Sequence, residues 1–277
     1  MRTALVQLNV SDDPAANLPE TLALVQTAAA GGAGFVLTPE CTNLLSSNRE
    51  HQRSVIRSEA DDPTLDALRQ QAAASGIWLL IGSLGLATGD ADGRFANRSF
   101  LIAPDGSIAA RYDKIHMFDV NVSETEVYRE SAAYRPGARA VLAQTPFAAV
   151  GMTVCYDLRF PHLFRRLAKA GAQILTVPAA FNDTTGRAHW EVLLRARAIE
   201  TGCFVLAPAQ TGHHAETAGP GKRRTHGHSL AVAPWGEVLA DAGTEPGVTF
   251  VDLDLSEVAK ARGRVPSITH DRDFDGP

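Results

Sequence analysis

Short apolar runs alternate along the chain with longer segments in which apolar residues recur every three or four positions. The first pattern is that of strands buried on both faces, the second that of helices packed by one face. It predicts strands over residues 3–8, 35–38 and 77–83, with helices over 14–30 and 64–75. Residues 97–103 and 107–112 form a hairpin about the turn Pro104-Asp105-Gly106. An apolar run over 150–154 then precedes helix 161–170, strand 173–177, helix 187–201 and strand 204–209. Strands over 229–233, 237–240 and 249–253 and a last helix over 256–262 complete the pattern.

A faint internal repeat crosses this pattern. Gly32-Ala33-Gly34-Phe35-Val36-Leu37-Thr38-Pro39 aligns with Gly171-Ala172-Gln173-Ile174-Leu175-Thr176-Val177-Pro178, each a helix end, a buried strand and a closing proline. Two related halves follow, and with them two facing sheets flanked by helices. The functional site is expected at the strand ends between the halves.

Three polar residues interrupt the apolar runs at places that matter chemically. Cys155 ends the run from Val150 and is followed by Tyr156-Asp157-Leu158-Arg159-Phe160-Pro161. That is a strand, a sharp turn and a helix, so the thiol faces the helix dipole and its free N–H groups, which favour thiolate. The local pattern equally fits a cysteine packed as a small apolar residue. Glu40 closes Phe35-Val36-Leu37-Thr38-Pro39 and is delivered at a strand end, where an acid also serves as a helix cap or a solvated loop residue. Lys114, in Arg111-Tyr112-Asp113-Lys114-Ile115-His116, is by itself an ordinary surface lysine.

Taken together, Glu40, Lys114 and Cys155 resemble in order and spacing the Glu, Lys and Cys of the carbon–nitrogen hydrolases, the nitrilase superfamily. Glu130 before Arg135-Pro136-Gly137, the stretch Pro178-Ala179-Ala180-Phe181, His189-Trp190-Glu191, and Gly227-His228-Ser229 leading to Pro234-Trp235-Gly236 carry the resemblance from about residue 3 to 266. Within the superfamily the chain is similar to the amidase branch that contains the deaminated glutathione amidases and the ω-amidases. The resemblance implies one domain over residues 1–277, folded as a four-layer α-β-β-α sandwich of two related halves. It also implies an amidase that hydrolyses the primary amide of a small carboxylated substrate to acid and ammonia through a thioester.

In that chemistry Cys155 is the nucleophile and Glu40 the base. Lys114 and the Tyr156 backbone N–H stabilise the oxyanion. Glu130 supports Lys114, and Phe181 belongs to the substrate-binding set. Deaminated glutathione is the expected substrate, because Ala209-Gln210-Thr211-Gly212-His213-His214 looks more like its amidases than like ω-amidases. An ω-amidase acting on α-ketoglutaramate or α-ketosuccinamate is the alternative. A nitrilase ranks lower, since Tyr156-Asp157 stands where true nitrilases usually have Trp-Glu. A catalytically silent metabolite-binding relative also ranks lower, since all four catalytic positions are filled.

The chain of 277 residues, net charge −5, shows no linker between domains and gives no case for nucleic acid or an anionic membrane as partner. Its start lacks an apolar signal core, and no apolar run reaches the roughly 18 residues of a membrane span. Three cysteines without metal-ligand spacing suit a reducing compartment, so the expectation is a cytoplasmic protein. No cofactor is expected: Gly82-Ser83-Leu84-Gly85-Leu86-Ala87-Thr88-Gly89 reads as a loop, and Gly219-Pro220-Gly221-Lys222 is an incomplete phosphate loop. No metal is expected at His213, His214, His226 and His228 either.

The cation-rich segment from Thr211 to His228 is either a solvated loop or a carboxylate clamp built from Lys222, Arg223 or Arg224. Arg159 is a rival clamp. Helix 187–201 presents Trp190, Leu193, Leu194, Ala198 and Thr201 on one face. The outer helices pair two subunits in the resembling family, so a homodimer is expected, with Leu163, Phe164 and Leu167 supplying apolar surface.

Overall fold

The computed structural model describes residues 1–124, 126–217 and 223–276. The first half contains β1 (Arg2–Gln7), α1 (Pro14–Ala30), β2 (Phe35–Leu37), α2 (Arg49–Val55), α3 (Pro63–Ser75), β3 (Trp78–Ala87), β4 (Phe95–Ile102) and β5 (Ile108–Asp113). A short antiparallel pair follows, β6 (Asp119–Asn121) with β7 (Val127–Arg129). The second half contains β8 (Val141–Gln144), β9 (Ala149–Met152), α4 (Pro161–Lys169), β10 (Ile174–Thr176), α5 (Asp183–Thr201) and β11 (Phe204–Ala207). It continues through β12 (Thr211–His213), β13 (Arg224–His226), β14 (Leu230–Val232) and β15 (Val238–Asp241), and the chain ends with β16 (Gly247–Asp252) and α6 (Ser256–Arg264).

These strands form two six-stranded sheets, ordered β16-β1-β2-β3-β4-β5 and β8-β9-β10-β11-β14-β15. Each sheet has a parallel centre, β1-β2-β3 in one and β9-β10-β11 in the other, flanked by antiparallel strands. The connecting helices correspond as well: α1 and α3 in the first half, α4 and α5 in the second. The sequence repeat therefore falls on β2 and β10, which hold equivalent central places. Side chains alternate accordingly. Leu5, Phe35, Leu37, Leu80 and Leu101 point between the sheets toward Val150, Met152 and Ile174. Ala4, Val6, Val36, Leu79 and Phe100 point outward under α1 and α3, against Val25, Ala28, Leu65 and Leu68. This is the four-layer α-β-β-α arrangement.

Local chemistry starts the helices where the sheets need them. Asp13 and Asp62 cap α1 and α3 by accepting first-turn N–H groups, each followed by proline at the first helical position. No helix among the described residues is long and apolar enough to cross a membrane.

Four expectations change. Residues 82–87 are not a loop but the second half of β3, which shifts register between Ile81 and Leu84. A Cβ on Gly82 would lie 2.2 Å from the Thr38 carbonyl and 2.5 Å from Pro178, so glycine there allows the ends of both halves to converge. Residues 211–213 and 224–226 form a hairpin rather than a loop. Its tip, with the expected phosphate-loop fragment and Lys222, lies outside the described residues. A 3₁₀ turn, Cys155–Arg159, stands between β9 and α4. Leu163, Phe164 and Leu167 are buried in the protein's own core and offer no surface.

Candidate active site

Both halves deliver their polar groups just past the strand ends. Glu40 follows β2, and Cys155 follows β9 in the left-handed backbone region, φ 48°. That conformation costs an L-residue about 1–2 kcal/mol, and the surroundings hold it. The Cys155 N–H donates to the Pro178 carbonyl at 2.9 Å, and the Val154 N–H donates to Asp157 Oδ2 at 2.8 Å. Lys114 is fixed by its backbone, its N–H bonding to the Asn97 carbonyl at 2.9 Å and its carbonyl accepting from Gly137 at 2.7 Å.

The four expected polar side chains meet at the floor of one cavity. Lys114 Nζ, 2 % exposed, lies 2.9 Å from Glu40 Oε1 and 2.9 and 2.8 Å from the two oxygens of Glu130. Its three donors are thereby all engaged. Glu40 Oε1 also accepts from Asn97 Nδ2 at 2.9 Å, and its Oε2 accepts from the Ala180 N–H at 2.8 Å. Glu130 accepts further from Asn97 Nδ2 at 3.2 Å and the Phe118 N–H at 2.6 Å. The Cys155 thiol and the Glu40 carboxylate are near enough to act on each other's ionisation.

One lysine and two carboxylates leave this buried cluster with an excess negative charge, which sets its protonation. Burial opposes ionisation of Glu40, but the Lys114 charge and the bonds from Lys114, Cys155 and Ala180 hold it below the ordinary carboxylate range. Burial also opposes the Lys114 charge, and Glu130 and Glu40 outweigh it, so the ammonium is held well above its usual value. Burial, then the Glu40 charge, push the Cys155 thiol well above its ordinary value despite Lys114. Burial and the Glu40 charge thus outweigh the preference of the helix end for thiolate. A thiol beside an ionised carboxylate that other donors hold in place can pass its proton to it as it attacks.

Asp157, wholly buried, ties the two catalytic segments together. Its Oδ2 accepts from Val154 N and from the Tyr112 hydroxyl at 2.6 Å; its Oδ1 accepts from the His116 N–H at 3.1 Å and faces His116 Nδ1 at 2.6 Å. Residues flanking Lys114 are thus bonded to the acid two places after Cys155. Burial and the Asp157 charge keep the Tyr112 phenol protonated, so it serves as a donor.

The cavity above this floor measures about 600 Å³. Tyr156 and Phe181 line it, and the expected cations separate. Arg223 lines it, with Nη2 on the Ala180 carbonyl at 2.9 Å, its guanidinium 4.8 Å from the Tyr128 ring centre and a buried Nε without a partner. Arg224 faces the other way, 3.3 Å from Asp183 in a small side pocket with His226 and His228. Arg159 is not among the lining residues: it sits behind the rings, 5.5 Å from Phe181 and 6.0 Å from Tyr156, and contacts His189 Nδ1 at 3.2 Å. His214 is buried between the Val10 carbonyl and Thr225, and burial lowers its pKa to about 4. Gln210 braces Glu40 from behind through its backbone carbonyl, at 3.0 Å.

Sequence reasoning missed Asn97, Arg49 and Tyr128. Asn97 was legible only as a strand residue, yet both its amide hydrogens point at carboxylates, an orientation that flipping would turn into repulsion.

A profile of the carbon–nitrogen hydrolase family matches residues 2–263. Among curated relatives, a deaminated glutathione amidase of Yersinia enterocolitica is 41% identical over 242 residues, covering 87% of this chain and 82% of that protein. The omega-amidase NIT2 of Danio rerio is 36% identical over 279 residues, covering 99% and 95%. Among solved structures, the C. elegans NitFhit protein superposes with a TM-score of 0.90 at 34% identity, covering 98% of this chain and 65% of that longer one.

Proposed function

Because the chain belongs to the carbon–nitrogen hydrolase superfamily, in the amidase branch close to the deaminated glutathione amidases and ω-amidases, we propose that its cavity hydrolyses a small carboxylated amide through a Cys155 thioester. The observation that carries this assignment is the convergence of Cys155, Glu40 and Lys114 on one cavity, with Glu40 held in place by Lys114, Asn97 and the Ala180 N–H.

Cys155 Sγ attacks the amide carbon while its proton passes to Glu40. Glu40 then gives that proton to the leaving nitrogen as the C–N bond breaks, and a thioester remains. Glu40 next takes a proton from water, the hydroxyl attacks the thioester, and the thiol is restored with release of the acid. The oxyanion of each tetrahedral intermediate is held by Lys114 and the Tyr156 N–H. Since all three Lys114 donors are engaged at rest, one must turn to the oxyanion; Glu130, which holds two, yields one without leaving the ammonium unpaired. Glu130 is therefore a positioning residue.

Arg223 is the cavity-lining member of the basic set among the described residues, and its guanidinium, anchored by Nη2 on the Ala180 carbonyl, supplies the positive charge a substrate carboxylate needs. We assign deaminated glutathione as the preferred substrate. The cavity is of the size that encloses ligands well beyond a five-carbon ketoamide, roughly 300–1,000 Å³ being usual for drug-sized molecules. In deaminated glutathione the scissile nitrogen belongs to a dipeptide, so the leaving group is an amine rather than the ammonia of a primary amide. Comparing kcat/KM on deaminated glutathione and α-ketoglutaramate, with Cys155→Ala as the blank, tests the assignment. Faster turnover of α-ketoglutaramate makes the enzyme an ω-amidase, and activity retained by Cys155→Ala removes the thioester route.

The three cysteines are unpaired, in keeping with a cytoplasmic enzyme. Val192 and Ile199 of α5 and Trp235, Val238 and Leu239 of the β14–β15 hairpin form the exposed apolar face on which a second copy would pack. Light scattering of a Val192→Glu, Ile199→Glu variant checks for that homodimer.

A further inference from the structure

Two cavity arginines are used by no step above: Arg129, whose guanidinium is tied to the Val120 and Tyr128 carbonyls and to Asn121, and Arg49. Arg49 begins α2 on the wall built by the first half, whereas Arg223 comes from the β12–β13 hairpin of the second half. Its guanidinium stacks 4.2 Å from the Phe95 ring centre and donates to the Ala133 carbonyl at 3.0 Å and the Gly93 carbonyl at 2.8 Å. Two of five N–H groups are engaged there, three remain, and the head is held rigidly. No ion pair to it occurs among the described residues; Arg53, one helical turn on, adds like charge, and Asp92 opposes it without reaching salt-bridge distance. A fixed arginine without an ion-pair partner on a cavity wall is the setting in which a carboxylate is gripped.

We propose that Arg49 is a second anion subsite, which binds a carboxylate on the leaving amine while Arg223 binds the one on the acyl group. This rests on the amidase assignment and deepens it: the preferred substrate is an amide charged on both sides of the scissile bond, and the product that leaves first is an amino-acid or peptide acid. The two arginines then act at different stages. Arg49 contributes to acylation only, because its ligand departs with the amine, whereas Arg223 acts through both steps.

The test is the ratio of kcat/KM for deaminated glutathione to kcat/KM for its C-terminal amide, in which the leaving dipeptide has lost its carboxylate. The wild type should prefer the acid by about ten- to a hundredfold, the size of one charge-assisted hydrogen bond. Arg49→Gln should bring the ratio near one, and Arg49→Lys should restore part of it. Arg223→Gln should lower both rates and leave the ratio standing. An unchanged ratio in Arg49→Gln overturns the proposal. Should that variant fail to fold, the wild type alone decides: alanylglycine should inhibit at least tenfold more tightly than alanylglycinamide, and equal inhibition overturns it. Wild-type turnover of both amides without preference removes only Arg49, while turnover of neither removes the substrate assignment as well.

Discussion

Replacing Glu40 by glutamine separates proton transfer from electrostatics. Glutamine keeps the shape, and its oxygen can still accept from Lys114 and Asn97, the two donors now on Oε1. The amide NH₂ then faces the Ala180 N–H, which now bonds to Oε2, so two buried donors oppose each other. An unmet buried donor costs about 1–3 kcal/mol, and at about 2–4 °C per kcal/mol for a chain of this size the melting temperature should fall by roughly 2–12 °C. Lys114 stays paired with Glu130, so the variant should fold. Turnover should fall by about 10²- to 10⁴-fold, the usual range for a general base, in both acylation and deacylation. The thiol should respond in the opposite sense. Glu40's charge is one of the forces raising Cys155, so its removal should make the thiol easier to ionise. Iodoacetamide labelling of Cys155, read by peptide mapping because Cys41 lies next to Glu40, should therefore shift to lower pH as turnover collapses. Turnover within tenfold of wild type, or a thiol that becomes harder to ionise, would refute Glu40 as the base.

Three further outcomes follow from the same geometry. Asp157→Asn should lower kcat at least tenfold with KM little changed, because an amide cannot accept on both sides as Asp157 does; Tyr112→Phe, which removes one of those bonds, should cost less, and equal losses in kcat and KM would make Asp157 merely structural. Glu40 is held below its ordinary value, so its contribution to stability is complete above about pH 4.3 and is lost as pH falls through the lower folded value, whereas raised Lys114 and Cys155 contribute fully below about pH 10.4 and 8.5 and lose this as pH rises. The melting temperature should therefore be flat from about pH 7 to 8, fall below about pH 6.5 as the unfolded chain gains the proton that buried His214 refuses, and decline at high pH; a rise beyond pH 8.5 would contradict the assigned protonation. Arg223→Gln should lower kcat/KM for a carboxylated amide by about ten- to a hundredfold and spare an uncharged one; if Arg159→Gln does this instead, the clamp lies behind the Phe181 ring.

What the sequence disclosed depended on how local the cause was. β2, β9 and β10 are dense apolar runs, so Glu40 and Cys155 could be placed at strand ends from their neighbours alone. Lys114 carries no such signal, and only its combination with the other two singled it out. Helix α2, Arg49-Glu50-His51-Gln52-Arg53-Ser54-Val55, has no apolar period, so both the helix and its cavity arginine stayed hidden. Asn97 was concealed because a strand pattern does not say which polar residue meets a carboxylate. Arg223 and Arg224 were indistinguishable as a basic pair; at the edge of a strand successive side chains point to opposite sides, so one enters the cavity and its neighbour meets Asp183. The forces that oppose ionisation of Cys155, burial and the Glu40 charge, lay outside its local pattern, since Glu40 is 115 positions away in sequence.

That long-range contact rests on a single extension of one strand. Beyond β10 the chain runs through Pro178, whose carbonyl accepts the Cys155 N–H at 2.9 Å, to Ala180, whose N–H donates to Glu40 at 2.8 Å. The separation of nucleophile and base is thus set by three residues of backbone, while their own strands, β9 and β2, belong to different sheets. The repeat explains why the device is possible: β10 is the counterpart of β2, so its extension reaches the junction between the halves just where Glu40 arrives from the other side. Gly82 lets both extensions approach, and the left-handed turn at Cys155 points the thiol back at them. The same left-handed backbone recurs at Cys41, next to Glu40, φ 60°, so both strand extensions turn sharply at the site; at Cys155 glycine would relieve the backbone and remove the thiol.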